Sequence, residues 1–230
     1  NKPYAFTARP WELKSTETFD VHDAMGASVR ADARGREVMR FLPRVHEDVN
    51  EEWISDKTRQ AVDGLKYKRL DTPYVRKDGV MKAASWDEAF DVIAQKVKGL
   101  SGDKIAGLVG DLCDMESMYA LKGLLGSLGS TTIDCRQDGA KYGGKHRVGY
   151  LFNTSIAGID EADAALLVGT NPRKEAAVLN IRLRYLSKRG AIASVGEQEN
   201  LTYPVLDLGD TVKALEELLK GKGDFAKTLK

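Results

Sequence analysis

The residues best suited to redox or metal chemistry are few in this chain, and their spacing does not suit either role. The two cysteines, Cys113 and Cys135, lie 22 positions apart and form no Cys-x2-Cys pair. Two thiolates alone cannot hold an iron–sulfur cluster, and this spacing is not that of a zinc site. We therefore expect two buried or semi-buried reduced thiols, as in a cytosolic compartment.

The other candidate chemical groups are scattered. His22, His46 and His146 have no cysteine or carboxylate partners at ligand spacing, so they are expected to be surface or hydrogen-bonded residues. Several carboxylates could act as a general acid or base. We interpret them instead as helix caps or exposed side chains: Asp87, Glu88, Glu116, Asp160, Glu161 and Asp163. A Gly-x-Ser-x-Gly nucleophile elbow does not occur.

Three glycine-containing segments could approach a phosphate group. Residues 107–112 follow an apolar run but do not complete Gly-x-Gly-x-x-Gly, and residues 139–147 are basic but lack the Walker order. The third segment is a turn after a strand, formed by Gly169, Thr170, Asn171 and Pro172. Its amides and Asn171 could face a pyrophosphate at a helix N-terminus. We interpret all three segments primarily as packing, turn or surface elements.

Composition is that of a soluble globular protein of one or two domains. The 230 residues are 42% hydrophobic and 30% charged, with 35 basic and 34 acidic side chains. This balance indicates neither a nucleic-acid partner nor an acidic membrane surface. The chain also lacks an apolar run of roughly 20 residues, so direct membrane insertion is not expected.

Residues 1–76 have the pattern of a small β-rich subdomain. Residues 1–16 are interpreted as an extended connector, residues 27–32 and 37–43 as two strands, and Gly35 as the turn between them. Proline at position 43 should end the second strand. A short helix over 56–66 and an extended exit over 69–76 follow.

Residues 77–230 alternate between strand and helix signals. Helices are predicted at 85–99 (with a capping box at Ser85 and Glu88), 116–128, 176–187 and 210–219, and strands at 105–110, 131–135, 164–169 and 191–195. Such alternation predicts right-handed crossovers and a mostly parallel sheet. The fold class is therefore α/β, with the small β-rich subdomain followed by a Rossmann-like three-layer domain that is incomplete at its C-terminus.

Several long segments resemble one protein family. The segments are KPYAFTARPWE at 2–12, HEDVNEEWISDKTR at 46–59, SIAG at 155–158 and EADAALLVGTNPR at 161–173. They are similar to the large iron–sulfur subunit of respiratory complex I, within the molybdopterin oxidoreductase superfamily. The resemblance implies an internal part of that subunit, with 2Fe–2S and 4Fe–4S clusters upstream of it.

In this superfamily the small subdomain usually holds a 4Fe–4S cluster on Cys-x2-Cys-x3-Cys and a fourth cysteine before Lys-Gly-Arg. Aligned on Gly35, the ligand positions fall on Phe19, His22, Gly26 and Ser55, the last ahead of Lys57-Thr58-Arg59. All four thiolates are missing, so the resemblance implies vestigial cluster positions and a vestigial nucleotide turn at 169–172. No cofactor or metal is expected in this stretch.

The resemblance implies a non-catalytic scaffold within NADH–quinone oxidoreductase, with other hydrophilic-arm subunits as partners. Its place would be the cytoplasmic face of a bacterial inner membrane, or the matrix side in a mitochondrion. Two alternatives stay open. One is an active molybdopterin oxidoreductase domain related to formate dehydrogenase, and the other is a nucleotide-binding module at the strand ends near Gly110 and Gly169.

Overall fold

The structure is a computed structural model that describes residues 4–110, 112–136, 139, 145–196 and 200–229. Its strands are β1 Lys14–Phe19, β2 Ser28–Arg34, β3 Glu37–Pro43, β4 Tyr74–Lys77, β5 Val80–Ala83, β6 Gly107–Leu108, β7 Ile133–Asp134, β8 Ala164–Val168, β9 Ala191–Val195 and β10 Leu206–Asp207. Its α-helices are α1 Asp56–Gln60, α2 Trp86–Val97, α3 Met115–Ser127, α4 Pro172–Glu175, α5 Ala177–Leu186, α6 Val212–Leu219 and α7 Asp224–Thr228.

These elements group into two compact units. Unit 1 combines Asn1–Tyr67 with Leu151–Lys230, and unit 2 is the intervening Lys68–Tyr150. The predicted regions 1–76 and 77–230 follow the order of the sequence, whereas the units follow contacts in space. That two-region division stays a prediction.

The first sheet of unit 1 is an antiparallel meander in the order β1–β2–β3. Its buried side packs Ala27 and Val29 against Ile54, with Phe41 partly covered beside them. Gly35 makes the β2–β3 turn at φ +62°, a left-handed conformation that glycine adopts without steric cost. All residues of β1 are exposed. An edge strand without burial has no apolar alternation, which explains why the sequence showed residues 1–16 only as a connector.

A polar row crosses this sheet. Ser15, Asp32 and Arg40 are cross-strand partners, and Asp32 accepts from the Ser15 hydroxyl at 2.7 Å and from Arg40 Nε at 2.7 Å. Burial by itself raises the pKa of Asp32. The two hydrogen bonds and the charges of Arg30 and Arg40 outweigh that effect, so the pKa lies below its usual value.

Asn50 joins the meander to the segment that follows it. Its side chain is 0% exposed, and its Oδ1 accepts from the Ser28 amide at 2.9 Å. Its Nδ2 donates to the carbonyls of Arg44 at 3.0 Å and Trp53 at 3.2 Å. One buried amide group thus pairs three backbone groups, of which the Ser28 amide is fully buried and would otherwise lose its hydrogen bond to water.

The second sheet of unit 1 is parallel, in the order β10–β9–β8. Leu183 and Leu186 of α5 form the core with Leu167 of β8, Ile192 of β9 and residues outside the strands. The Tyr203 hydroxyl donates to Asn180 Oδ1 at 2.8 Å and connects this helix to the segment before β10. Burial raises the pKa of Tyr203 to about 12.

Unit 2 contains a β4–β5 hairpin, the parallel pair β6–β7 and the helices α2 and α3. The hairpin turn places Asp78 and Gly79 at positive φ, as a type I′ turn requires. Its Asp-Gly signal is present in the sequence, but residues 69–76 were predicted only as an extended exit. The Ser85 hydroxyl caps α2 by accepting from the Glu88 amide at 3.2 Å, while the Glu88 carboxylate pairs with Lys77.

The α/β fold class is confirmed, with antiparallel and parallel sheets in one chain. Other details differ from the prediction. In the described residues the parallel pairs belong to two separate sheets, and β6 and β7 are two residues long, with Leu108 exposed. Along α3, Leu125 is buried but Leu124 is exposed. The predicted helix over 56–66 divides into α1 and a 3-10 turn, Ala61–Leu65.

None of the helices in the described residues combines the length and apolar character that crossing a bilayer requires.

The polar row predicts a pH dependence of stability. A carboxyl group whose pKa is depressed on folding stabilises the fold above its unfolded pKa of about 3.9, and that contribution is lost as pH falls through the folded pKa. Asp32→Asn should therefore lower the free energy of unfolding by about 2 kcal/mol at pH 7, where it replaces a charged acceptor of Arg40. Urea denaturation should show this difference shrinking below about pH 4. The exposed Asp48→Asn is the control. A difference that stays constant down to pH 2 would contradict the assignment.

Candidate functional site: the loop before β2 and the turn after β8

The four predicted cluster positions do not share one environment. Phe19 ends β1 with 64% of its surface exposed, and His22 and Gly26 are exposed in the loop between β1 and β2. Ser55 alone is buried, at 3%. The buried polar side chains of the loop are instead Asp20 and Asp23, each one residue after a predicted ligand position.

Ser55 belongs to a short chain of buried hydrogen bonds. The Thr58 hydroxyl donates to Asp20, and the Ser55 and Thr58 hydroxyls are 3.1 Å apart. Since the Thr58 proton points to Asp20, the Ser55 hydroxyl donates to Thr58. Ser55 also accepts from the Thr58 amide at 3.3 Å and thereby caps α1. At the fourth predicted ligand position, the side chain is committed to holding a helix.

Asp23 connects the loop to the second half of the chain. One carboxylate oxygen accepts from the Ala177 amide at 2.9 Å, at the first residue of α5, and the other accepts from the Met25 amide at 3.0 Å. A carboxylate at a helix N-terminus pairs an otherwise unsatisfied amide and interacts favourably with the helix dipole. Beside it, the Ala24 amide donates to the Glu175 carbonyl at 2.9 Å.

Two cationic side chains extend this connection. Lys57 Nζ donates to the Lys174 carbonyl at 2.6 Å. The guanidinium of Arg182 on α5 is buried; it donates to the Glu47 carbonyl at 2.6 Å, lies 3.4 Å from Glu51 Oε1 and pairs with Asp160. The predicted cluster segment and α5 are therefore joined by both anionic and cationic groups.

The turn after β8 is closed by its own side chains. The Thr170 hydroxyl donates to Glu175 Oε2 at 2.5 Å, and the Asn171 amide donates to Oε1 at 3.3 Å. The Asn171 side chain accepts from the Lys174 amide at 3.3 Å and caps α4. A carboxylate thus binds the donors that the sequence suggested for a pyrophosphate.

A cavity of about 430 Å³ lies between this turn and the loop before β2. Its wall is mostly apolar, and Thr170 and Glu175 contribute polar groups. The apolar lining residues are Ala24, Met25, Phe152, Ile156, Leu166, Leu167, Pro172, Ala176 and Leu179. A carboxylate at the polar end disfavours an anionic ligand by like-charge repulsion.

The remaining candidates are dispersed. Within the described part of the chain, no three His, Cys, Asp or Glu side chains are grouped so as to hold a metal ion. His46 pairs with Glu51 through backbone hydrogen bonds, and His146 precedes a 3-10 turn. In the basic segment 139–147, residues 140–144 lie outside the described residues. The prediction that the thiols of Cys113 and Cys135 are buried or semi-buried is wrong, since both are exposed in the segments that follow the short strands β6 and β7, and both belong to unit 2.

Sequence reasoning missed the residues that organise this site, namely Asp20, Asp23, Asn50 and Arg182. The available signal was weak: two aspartates, each immediately following a predicted ligand position. Burial and hydrogen-bond partners distant in sequence distinguish these residues, and neither is visible in a single sequence.

Two family comparisons match regions of this chain. A family model described as "Molybdopterin oxidoreductase" matches residues 69–230, more than half of the chain. The chain belongs to the molybdopterin oxidoreductase family. A second model, "NADH-ubiquinone oxidoreductase NDSU1/NuoG-like, 4Fe-4S domain", matches residues 13–63.

Proteins similar over the whole chain come from both bacteria and eukaryotes. A subunit of the NADH-quinone oxidoreductase of Rickettsia felis is 50% identical over 232 residues, covering 100% of this chain and 35% of that protein. The mitochondrial NADH-ubiquinone oxidoreductase 78 kDa subunit of Candida albicans is 52% identical over 228 residues, covering 96% and 32%. The NADH-ubiquinone oxidoreductase 75 kDa subunit of Reclinomonas americana is 44% identical over 245 residues, covering 100% and 36%. The chain spans about a third of the length of these relatives.

These matches confirm the predicted resemblance to the large complex I subunit. The relation to 4Fe–4S proteins is also confirmed, and it falls on residues 13–63, inside this chain and not only upstream of it. The sequence of that stretch contains no cysteine. The assignment of Phe19, His22, Gly26 and Ser55 to former ligand positions stays a prediction.

Asp23 should be the side chain in this site most sensitive to substitution. Asp23→Ala removes the acceptor of the Ala177 and Met25 amides and should lower the free energy of unfolding by about 2 kcal/mol. Asp23→Asn keeps one acceptor oxygen and should cost roughly half as much. Chemical denaturation measures both, with the exposed Asp48→Ala as the control. Equal stability of Asp23→Ala and Asp48→Ala would contradict the capping role.

Proposed function

We propose that this chain is a non-catalytic scaffold region of a complex I large iron–sulfur subunit, which belongs to an NADH–quinone oxidoreductase. Electron transfer would take place on clusters carried elsewhere in the parent protein. The observation that carries the proposal is a hydrogen-bonded polar core where the cluster ligands are predicted: Ser55 caps α1, and Asp20 and Asp23 bind amides and hydroxyls.

The donor set of residues 13–63 does not fit a 4Fe–4S cluster. Cluster iron is bound by cysteine thiolates, with histidine as an occasional substitute, and His22 is the only such side chain among the four predicted positions. Cys113 and Cys135 lie outside this stretch, in unit 2. The same mismatch disfavours the alternative of an active molybdopterin oxidoreductase.

Iron and sulfide reconstitution under anaerobic, reducing conditions tests this absence. We expect no broad charge-transfer absorption near 400 nm and less than about 0.1 iron per chain after desalting, because the thiolate ligands are missing. A cysteine-complete 4Fe–4S domain of the same family, treated in parallel, verifies the chemistry. Stoichiometric iron and labile sulfide on this chain would overturn the scaffold proposal.

The turn at 169–172 is proposed to retain its geometry without binding a nucleotide. Gly169 keeps φ +58° and its amide donates to the Val195 carbonyl at 2.9 Å, so the turn remains joined to β9. Glu175 supplies the negative charge that a pyrophosphate would otherwise bring to Thr170 and Asn171. An internal carboxylate competes with an external anion at no translational entropy cost.

Removing the charge of Glu175 should show whether this competition matters. We expect calorimetry to detect no heat with millimolar pyrophosphate, GDP or ADP on the unmodified chain. Glu175→Gln should bind pyrophosphate weakly, but with an affinity at least about tenfold higher than that of the unmodified chain, because the neutral amide ends the like-charge repulsion. The exposed Glu161→Gln, at the opposite end of β8, is the control. Saturable nucleotide binding by the unmodified chain would favour the nucleotide-binding alternative.

A scaffold must offer surfaces to its neighbours, and the proposed partners are other subunits of the hydrophilic arm. The described residues expose large apolar side chains, among them Trp86 and Phe90 of α2, whose rings are 5.6 Å apart. Exposed aromatic side chains are enriched where proteins associate. The location proposed is the cytoplasmic face in bacteria or the matrix side in mitochondria. Chemical cross-linking of the parent complex should link this region to neighbouring subunits. If no such cross-link forms, the scaffold role is contradicted.

A further inference from the structure

The parallel pair in unit 2 brings the only two cysteines of the chain to the same edge of a sheet. Gly107 pairs with Ile133 and Leu108 with Asp134. The ladder extends one residue further, because the Val109 amide donates to the Asp134 carbonyl at 3.0 Å. Cys135 follows Asp134 directly and therefore leaves the ladder opposite Val109.

Cys113 reaches this edge from the neighbouring strand. Its amide donates to the Gly110 carbonyl at 3.2 Å, so this bond holds Cys113 close to Gly110, just after β6. Val109 precedes Gly110 and lies opposite Cys135 on the neighbouring strand, at a strand separation of about 5 Å. A disulfide needs a Cα separation of about 4.4–6.8 Å. One turn and one ladder step thus separate the two cysteines, although 22 positions and the whole of α3 lie between them in sequence.

Both side chains are also accessible to solvent. Cys113 and Cys135 are each exposed and reduced in the structure. The Cys135 backbone is held by its amide, which donates to Asp134 Oδ1 at 2.7 Å, and the Arg136 Nε donates to the same oxygen at 3.0 Å. One thiol is therefore anchored at the end of the ladder, while the other follows a turn that contains Gly110.

We propose that Cys113 and Cys135 form a redox-sensitive pair that closes to an internal disulfide across the carboxyl edge of β6 and β7. The oxidant is a low-molecular-weight disulfide such as oxidised glutathione. One cysteine thiolate attacks its sulfur and releases one glutathione thiolate, leaving a mixed disulfide. The second cysteine thiolate attacks the protein sulfur of that mixed disulfide and releases the second glutathione. In total, two protein thiols are oxidised and one glutathione disulfide is reduced to two thiols.

The test equilibrates the full chain with defined ratios of oxidised to reduced glutathione, followed by acid quenching, intact mass and peptide mapping. We expect a monomer lighter by two hydrogens, with the peptides of Cys113 and Cys135 linked. Cys113→Ser and Cys135→Ser should each carry glutathione on the remaining thiol. At the ratio of oxidised to reduced glutathione that leaves the native pair half oxidised, either single variant should carry less than about a tenth of a glutathione adduct per chain. The native pair oxidises more readily because its second thiol attacks intramolecularly.

A double variant, Cys113→Ser with Ser127→Cys, tests whether position at the sheet edge, rather than proximity in sequence, determines which cysteine pairs with Cys135. Ser127 is exposed and only eight positions before Cys135, so chain statistics favour this link over the native pair. It ends α3, however, at the opposite end of the crossover from the carboxyl edge. We expect this variant to accumulate glutathione adducts without an internal link.

Three results would overturn the proposal. The first is two glutathione adducts on one unmodified chain as the stable product. The second is a disulfide between two chains in place of the internal link. The third is equally ready internal closure in the Ser127→Cys double variant, which would show that the edge does not select its partner.

Discussion

A buried carboxylate must find hydrogen-bond donors, and this requirement determines how the two parts of unit 1 meet. Asp23 lies in a loop near the start of the chain and binds the first amide of α5, which lies far along the sequence. Within the first part of the chain, Asp20 accepts a hydrogen bond from the His22 amide in the loop, and Asn50 accepts one from the Ser28 amide at the start of β2. Because an unpaired group at any of these points would carry its full desolvation cost, the contacts depend on one another.

Under the proposed scaffold role, the same principle explains how a metal site can lose its ligands and keep its outline. An iron–sulfur cluster provides covalent cross-links and a local charge that orient the backbone around it. In this chain, side-chain hydrogen bonds supply the cross-links. The Thr58 hydroxyl of α1 binds Asp20, and the Ser55 hydroxyl binds Thr58. At the neighbouring turn, Glu175 likewise supplies an internal anion. In both places the protein's own side chains occupy the donors and acceptors at the predicted site positions.

How much the sequence predicts depends on burial. The strands β3 and β9 were predicted with the bounds that the structure shows, because a proline stop and an apolar run mark them. β1 was missed because all its side chains are exposed, and β10 because two residues carry no pattern. The same dependence on local pattern holds for the residues of the predicted site. The turn at Gly169 was located by its motif, whereas Asp23 and Arg182 matter through partners more than a hundred positions away.

Unit 1 is assembled from the beginning and the end of the described chain, with the whole of unit 2 inserted between them. During synthesis, the meander emerges long before the helix that must bind Asp23, so Asp23 remains without its final partner while unit 2 is made. Unit 2 is one continuous stretch, Lys68–Tyr150, and can form first. A nascent chain would therefore pass through a stage in which the inserted part is folded and the surrounding part waits, exposed to chaperones, for residues near 177 to leave the ribosome.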